Sequence, residues 1–151
     1  MEIKWVDTHC HLQLLNKNLD ENHFKNIEFL VIPGVDVESS SKAKEISSSL
    51  EVESYWSAGL HPHDAKLLDT QRHDLEKLFV EADLIGETGL DFYRNLSTKE
   101  EQRENFLFHL EFSKQLNKPI IIHCRDSFQD TYDLLVEFNN PSSVILHSWT
   151  G

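Results

Sequence analysis

The sequence predicts an α/β fold on a parallel sheet, with a (β/α)8 barrel preferred over a doubly wound sheet. Three observations carry this. Short apolar runs alternate strictly with amphipathic segments, the pattern of strands joined by right-handed crossovers. The runs end near positions 9, 34, 59, 87, 123 and 147, so the repeat is about 25 to 35 residues, one βα unit. Polar side chains gather at the carboxyl ends of these runs, where barrels place their sites, and no glycine-rich phosphate loop follows the first run as a dinucleotide fold requires.

Trp5 to Thr8 reads as the first strand, and the unbroken apolar run Phe29 to Ile32 before Pro33-Gly34 as a buried second one. Ala43, Ile46 and Leu50 then recur at helical spacing, with the serine clusters at 39–41 and 47–49 reading as loose helix ends. Tyr55 to Ala58 is a third strand, followed by a helix that turns Leu75, Leu78, Phe79 and Ala82 inward. Leu84-Ile85-Gly86 is a fourth strand ending at Glu87.

The next helix starts at one of two capping-box patterns, Ser97-x-x-Glu100 or Thr98-x-x-Glu101, and carries the stripe Phe106, Leu107, Leu110 and Leu116 before Pro119 bars its continuation. Ile120-Ile121-Ile122 is the strongest strand, ending at His123. Asp126 is placed to cap a helix with Phe128, Tyr132, Leu135 and Phe138, which stops at Asn139-Asn140-Pro141, and Val144 to Leu146 forms a sixth strand.

A chain of 151 residues is read as a single domain with a core of its own, so stability alone gives no reason for a metal. Hydrophobic residues at 39% and charged ones at 26%, with five Gly and four Pro, exclude a disordered chain. No run is long enough for a membrane span, and Met1 to Trp5 lacks the apolar core of a signal peptide, so a cytoplasmic location is expected and no membrane partner. Cys10 and Cys124 are read as buried reduced thiols. A net charge of −12 excludes a broad electrostatic grip on nucleic acid, so local positive charge at any such site would come from bound metal.

The chemistry concentrates in Val6-Asp7-Thr8-His9-Cys10-His11. In a strand, His9 and His11 share a face, and two convergent imidazoles commonly begin a divalent-metal site. Glu87, His123 and His147 follow other runs and point at the same pocket. Imidazoles with a carboxylate suit zinc, manganese, nickel or iron better than calcium or magnesium alone. His61 and His63 flank Pro62 and are either exposed or in contact with substrate; Arg94, Arg125 and Asp126 contact phosphate or pair with neighbours. His23, His73 and His109 lie in polar or helical surroundings and read as surface residues.

Asp7-Thr8-His9-Cys10-His11, Ala58 to His63, Ile85 to Arg94, Ile122 to Asp126 and His147 to Gly151 resemble, in order, the signatures of the TatD family of metal-dependent deoxyribonucleases, among the amidohydrolase-like barrels. The resemblance implies a TIM-type barrel and hydrolysis of DNA phosphodiesters by water activated between two divalent ions (Zn, Mn, Mg, Ni or Fe). It maps the metal ligands onto His9, His11, Glu87, His123 and His147, with Glu87 bridging, and leaves His61, His63 and Arg125 as candidates to hold phosphate. The family's eighth-strand aspartate has no counterpart before Gly151, so a barrel domain incomplete at its carboxyl end is expected, with self-association or complementation by a further segment. The rival expectations are another amidohydrolase-type reaction on an ester, lactone or amide, and a non-catalytic metal-binding fragment.

Overall fold

The computed structural model describes residues 3–15, 20–139 and 143–147. Strands β1 (Trp5–Asp7), β2 (Ile27–Pro33), β3 (Glu53–Ala58), β4 (Leu84–Asp91), β5 (Ile120–Arg125) and β6 (Val144–Leu146) form one sheet in sequence order, every neighbouring pair parallel. Helices α1 (Val37–Ser49), α2 (Leu68–Glu81), α3 (Lys99–Leu116) and α4 (Phe128–Glu137) lie in the crossovers. A strand order that never reverses is the winding of a barrel, whereas a doubly wound sheet reverses at its switch point. The strands make a curled half-barrel.

Apolar side chains fall on both faces of the sheet, in the two-residue alternation that pleating imposes, and the helices cover one of them. Leu30, Ile32, Ile85, Leu90, Ile120 and Ile122 pack with Ala43, Leu75, Phe79, Phe106 and Leu110 from the helices. Val31, Leu84 and Ile121 form a separate cluster with Phe29 and Ile145. The central strand β4 is buried over its full length, while β1 at the edge is exposed throughout.

The helix starts correct several sequence expectations. Serines 39 to 41 are no loose end: the Asp36 side chain accepts the Ser39 N–H at 2.6 Å, the Ser39 hydroxyl accepts those of Val35 and Asp36, and Ser40 is fully buried. This reciprocal cap satisfies donors that a helix start leaves unpaired. Thr98, with Glu101, caps α3, whereas Ser97 is buried and its hydroxyl donates to the His63 carbonyl at 2.9 Å. Ser127 rather than Asp126 is the residue that precedes α4, and Asp126 has a φ of 53°. The buried face of α4 is that of Thr131 and Leu134, spaced to follow Ser127, so Phe128 and Tyr132 stand outward with stacked rings. The expected stop of α4 at Asn140-Pro141 falls outside the described residues.

Two strands also differ from expectation. The first ends at Asp7 and the fourth continues beyond Glu87 to Asp91, because Gly89 to Asp91 stay in register with His123 to Arg125 of β5. Both cysteines are free and half-buried, and the Cys10 thiol, pushed up to about 12 by burial and by Asp7, donates to the Val31 carbonyl. Among the described residues no helix is long and apolar enough to cross a membrane.

Glycine at 59 is dictated by close approach. A Cβ there would overlap the Gly86 carbonyl carbon and lie 2.6 Å from the Glu87 nitrogen. Gly59→Ala is therefore expected to cost about 1 to 3 kcal/mol by forcing β3 and β4 apart. A fall in the urea midpoint at unchanged slope would show this; an unchanged midpoint would mean that the strands part freely.

Candidate metal centre

Glu87 is the hub of the carboxyl-end face. It is 2% exposed, and its two oxygens face different groups of imidazoles. Oε2 lies 3.2 Å from His9 Nε2 and 3.4 Å from His11 Nε2. Oε1 lies 2.6 Å from His147 Nε2, 3.1 Å from His123 Nδ1 and 3.5 Å from His61 Nε2. His9, His11, His61, His63, Glu87, His123 and His147 line an open cavity of about 460 Å³. The structure thus brings together every residue expected as a metal ligand, with His61 and His63 beside them.

Convergence is achieved differently from the expected strand alternation. His9 and His11 lie past the end of β1, in a loop held along β2. The Cys10 N–H donates to the Val31 carbonyl at 3.0 Å, and His11 Nδ1 donates to the Pro33 carbonyl at 3.0 Å, an acceptor shared with the Gln13 side chain. His123 and His147 are carried by the parallel pair β5 and β6, the first inside β5 two residues before its end and the second just past β6.

The His61-Pro62-His63 segment is clamped from behind. The Leu60 N–H donates to His109 Nε2 at 3.0 Å, and Asn105 Nδ2 donates to the Leu60 carbonyl at 2.7 Å. His109 Nδ1 in turn donates to the Asn105 carbonyl, and both residues are fully buried. This corrects the surface reading of His109. In α3 it shares an inward stripe with Gln102, Phe106 and Ser113, at spacings of three and four, so a polar side chain there meets backbone rather than water. His23 and His73 are exposed as expected.

Asp91 is a site residue that the sequence reading did not single out. It is fully buried, and its Oδ2 lies 2.8 Å from His63 Nε2 and 3.1 Å from His123 Nε2. Glu87 and Asp91 are four positions apart in one strand, an even spacing that turns both to one face. Arg125 lies apart from the imidazoles: it is exposed at the end of β5, its guanidinium 3.9 Å from the centre of the Tyr93 ring.

Electrostatics follow from burial against charge. Burial raises the Glu87 pKa, but the rings of His11, His123, His147 and His61 outweigh it and hold the carboxyl far below its usual range. Burial opposes charge on His11 and His123 too, yet Glu87 raises both above the ordinary histidine value. For His61 burial wins and the pKa falls.

The donor set fits divalent cations. His147 Nε2 and His9 Nδ1 are buried and without a hydrogen-bond partner among the described residues, although His147 Nε2 is close to Glu87. The His9 and His147 rings are stacked at 3.8 Å, and His9 Nε2 faces His11 Nε2 at 3.1 Å. Only His123 Nδ1 has hydrogen-bond geometry toward Glu87, and the crowding of the other nitrogens onto the same carboxylate is what coordination by an ion would account for. Imidazole and carboxylate together suit transition ions or zinc.

Fold and site define a parallel α/β barrel architecture with a candidate metal centre at the carboxyl ends of its strands. Residues 6–151 match the family described as TatD related DNase. The chain is 32% identical to an uncharacterized metal-dependent hydrolase of Buchnera aphidicola over 97% of its own length and 62% of that protein. It is 35% identical to the 3'-5' ssDNA/RNA exonuclease TatD of Escherichia coli, over 81% of this chain and 48% of that one. The structure of YjjV, a TatD homologue from Escherichia coli, superimposes with a TM-score of 0.88 at 20% identity, covering 100% of this chain and 62% of that one. This chain belongs to the TatD-related DNase family, and spans about half to three fifths of the length of these relatives.

The clamp behind Leu60 makes acid stability a readout of His109. Burial lowers its pKa from 6.5 to about 4, so between those values the unfolded chain binds a proton that the folded chain refuses. Stability therefore rises with pH through that window. Acidification from about pH 7 to about pH 5 removes about 2 kcal/mol of what His109 contributes. The stability difference between wild type and His109→Gln in urea should shrink accordingly on acidification; a difference independent of pH contradicts the buried neutral imidazole.

Proposed function

We propose that the centre binds two divalent cations bridged by Glu87 and hydrolyses phosphodiester bonds of DNA, with single-stranded DNA as the first substrate to test. One observation carries this reading: the Glu87 carboxylate is divided, Oε2 toward His9 and His11 and Oε1 toward His123 and His147. The Escherichia coli relative named as a 3'-5' ssDNA/RNA exonuclease supports the substrate class.

His9 and His11 would hold one cation, and His123 and His147 the other. When bound, the ions supply positive charge to the phosphoryl oxygens and lower the pKa of water. The protein's own groups then orient the substrate. His61 Nδ1 accepts the His63 N–H at 3.2 Å, so its neutral ring carries the proton on Nε2, which lies 3.3 Å from His123 Nδ1 and 3.5 Å from Glu87 Oε1 and would turn to a non-bridging phosphate oxygen once those two groups hold a cation. Its lowered pKa keeps the ring neutral near pH 7.

Arg125, stacked on Tyr93, would meet a neighbouring phosphate at the rim. With a net charge of −12, these few contacts and the cations would carry the attraction for a polyanion, so binding would weaken little with salt compared with a protein using a basic stripe.

The test is cleavage of end-labelled single-stranded DNA by the purified chain with Mn²⁺ or Mg²⁺, with a chelator control, beside a panel of small esters. Cation-dependent loss of terminal nucleotides is expected, reduced to background in Glu87→Gln. Cleavage that survives the chelator, or that Glu87→Gln leaves intact, would contradict the reading; ester cleavage alone would replace DNA as the substrate.

A further inference from the structure

We propose that Asp91 is a positioning residue that fixes which ring nitrogen of His123 is turned toward Glu87. The inference rests on the metal reading above but concerns a proton position that can be measured without any metal. Asp91 has no orientational freedom. Its Oδ1 accepts the backbone N–H groups of Tyr93 at 3.1 Å and Arg94 at 2.9 Å. Its own N–H donates to Gln102 Oε1 at 2.7 Å, and Gln102 Nε2 donates to the Asp91 and Ser97 carbonyls. The remaining oxygen, Oδ2, is left to face His63 Nε2 and His123 Nε2.

A carboxylate only accepts, so each of those nitrogens carries a proton. A neutral imidazole has one N–H, and the other nitrogen of His123 is therefore a bare lone pair. That nitrogen, Nδ1, lies 3.1 Å from Glu87 Oε1. Two acceptors at that separation repel one another unless a donor or a cation stands beside them; here the His61 Nε2–H lies 3.3 Å from Nδ1 and 3.5 Å from Oε1, and a bound cation would replace it in that role. A ligand imidazole whose far N–H is bound by a carboxylate is a common arrangement in metal sites, and the carboxylate also raises the basicity of the ring. On the other side of Glu87 the same device uses a backbone carbonyl, since His11 Nδ1 donates to Pro33 and leaves Nε2 facing Oε2.

The same accounting decides against a separate cation among His61, His63 and His123, although their nitrogens lie within 4.8 Å of one another. His61 Nε2 and His63 Nε2 both carry protons, the first because Nδ1 accepts from the His63 backbone and the second because of Asp91. The ring of His63 is thereby fixed as a neighbour of the centre rather than a ligand. Asp91 sorts the two imidazoles it touches with one oxygen.

The discriminating variant is Asp91→Asn, which keeps the shape and, through its Oδ1, both backbone bonds. Its amide turns N–H groups toward His63 and His123, so His123 must carry its proton on Nδ1 and point it at Glu87. Nitrogen NMR of ¹⁵N-histidine-labelled, metal-free protein at alkaline pH is expected to show the His123 proton on Nε2 in the wild type and on Nδ1 in Asp91→Asn. Titration with Mn²⁺ followed by calorimetry is expected to show about 10- to 100-fold weaker affinity at one class of site, with the other retained.

A wild-type His123 protonated on Nδ1 overturns the inference even if the variant does not fold. So does an Asp91→Asn protein with unaltered tautomer and unaltered Mn²⁺ affinity. Wild-type protein that shows the expected tautomer but binds no Mn²⁺ leaves the role of Asp91 standing and sinks the metal reading instead.

Discussion

An ionised carboxylate buried almost completely in a protein is the constraint from which the rest of the centre follows. Moving such a group out of water costs several kcal/mol even after relaxation, and removing the partners of a buried charge costs about 3 to 5 kcal/mol. Glu87, at 2% exposure, meets that cost with imidazoles on both of its oxygens. Yet imidazoles are weak compensation, since each must be protonated to bring charge, and their mutual contacts at 3.1 to 3.3 Å oppose charging them all together. Divalent ions would resolve the conflict, supplying the charge while leaving the rings neutral.

The half-barrel is a means of bringing these groups together from far apart in sequence. Parallel pairing in chain order places the ends of β1, β3, β4, β5 and β6 on one face, and the polar side chains arrive there as each strand finishes. The helices do more than cover the sheet. Through Asn105 and His109, α3 grips the Leu60 peptide, and through Gln102 it grips the main chain of Asp91. One helix therefore sets the backbone of two motifs that carry functional side chains, and its inward polar residues belong to the site's architecture.

Much of this was legible in the sequence, because strand ends are marked by the switch from apolar runs to His, Glu and Gly. Glu87, His123 and His147 were found that way, and His61 and His63 by their place around Pro62. What escaped detection had physical causes. The apolar run stops at Gly86, which ends the expected fourth strand at Glu87 and hides Asp91; Gly86 and Gly89 lie in the part of β4 that the pattern does not show. In the structure they take φ of 110° and 135° where the backbone lies so close to β5 that a Cβ would not fit, and the strand continues.

The polarity of His109 suggests exposure, but its spacing from Phe106 and Ser113 puts it on the buried stripe. The expected strand geometry of His9 and His11 was wrong in detail, since a loop bound to β2 brings the two rings together. Arg125 lies against Tyr93 rather than in the cavity, which places any role of its side chain at the rim.

If Glu87 joins two cations, one on each carboxylate oxygen, anomalous scattering from a crystal of this chain grown with Mn²⁺ should show them. Two peaks are expected, one among His9, His11 and Glu87 Oε2, the other among His123, His147 and Glu87 Oε1. No peak at Glu87, or a single ion held by His61 and His63 instead, would contradict this.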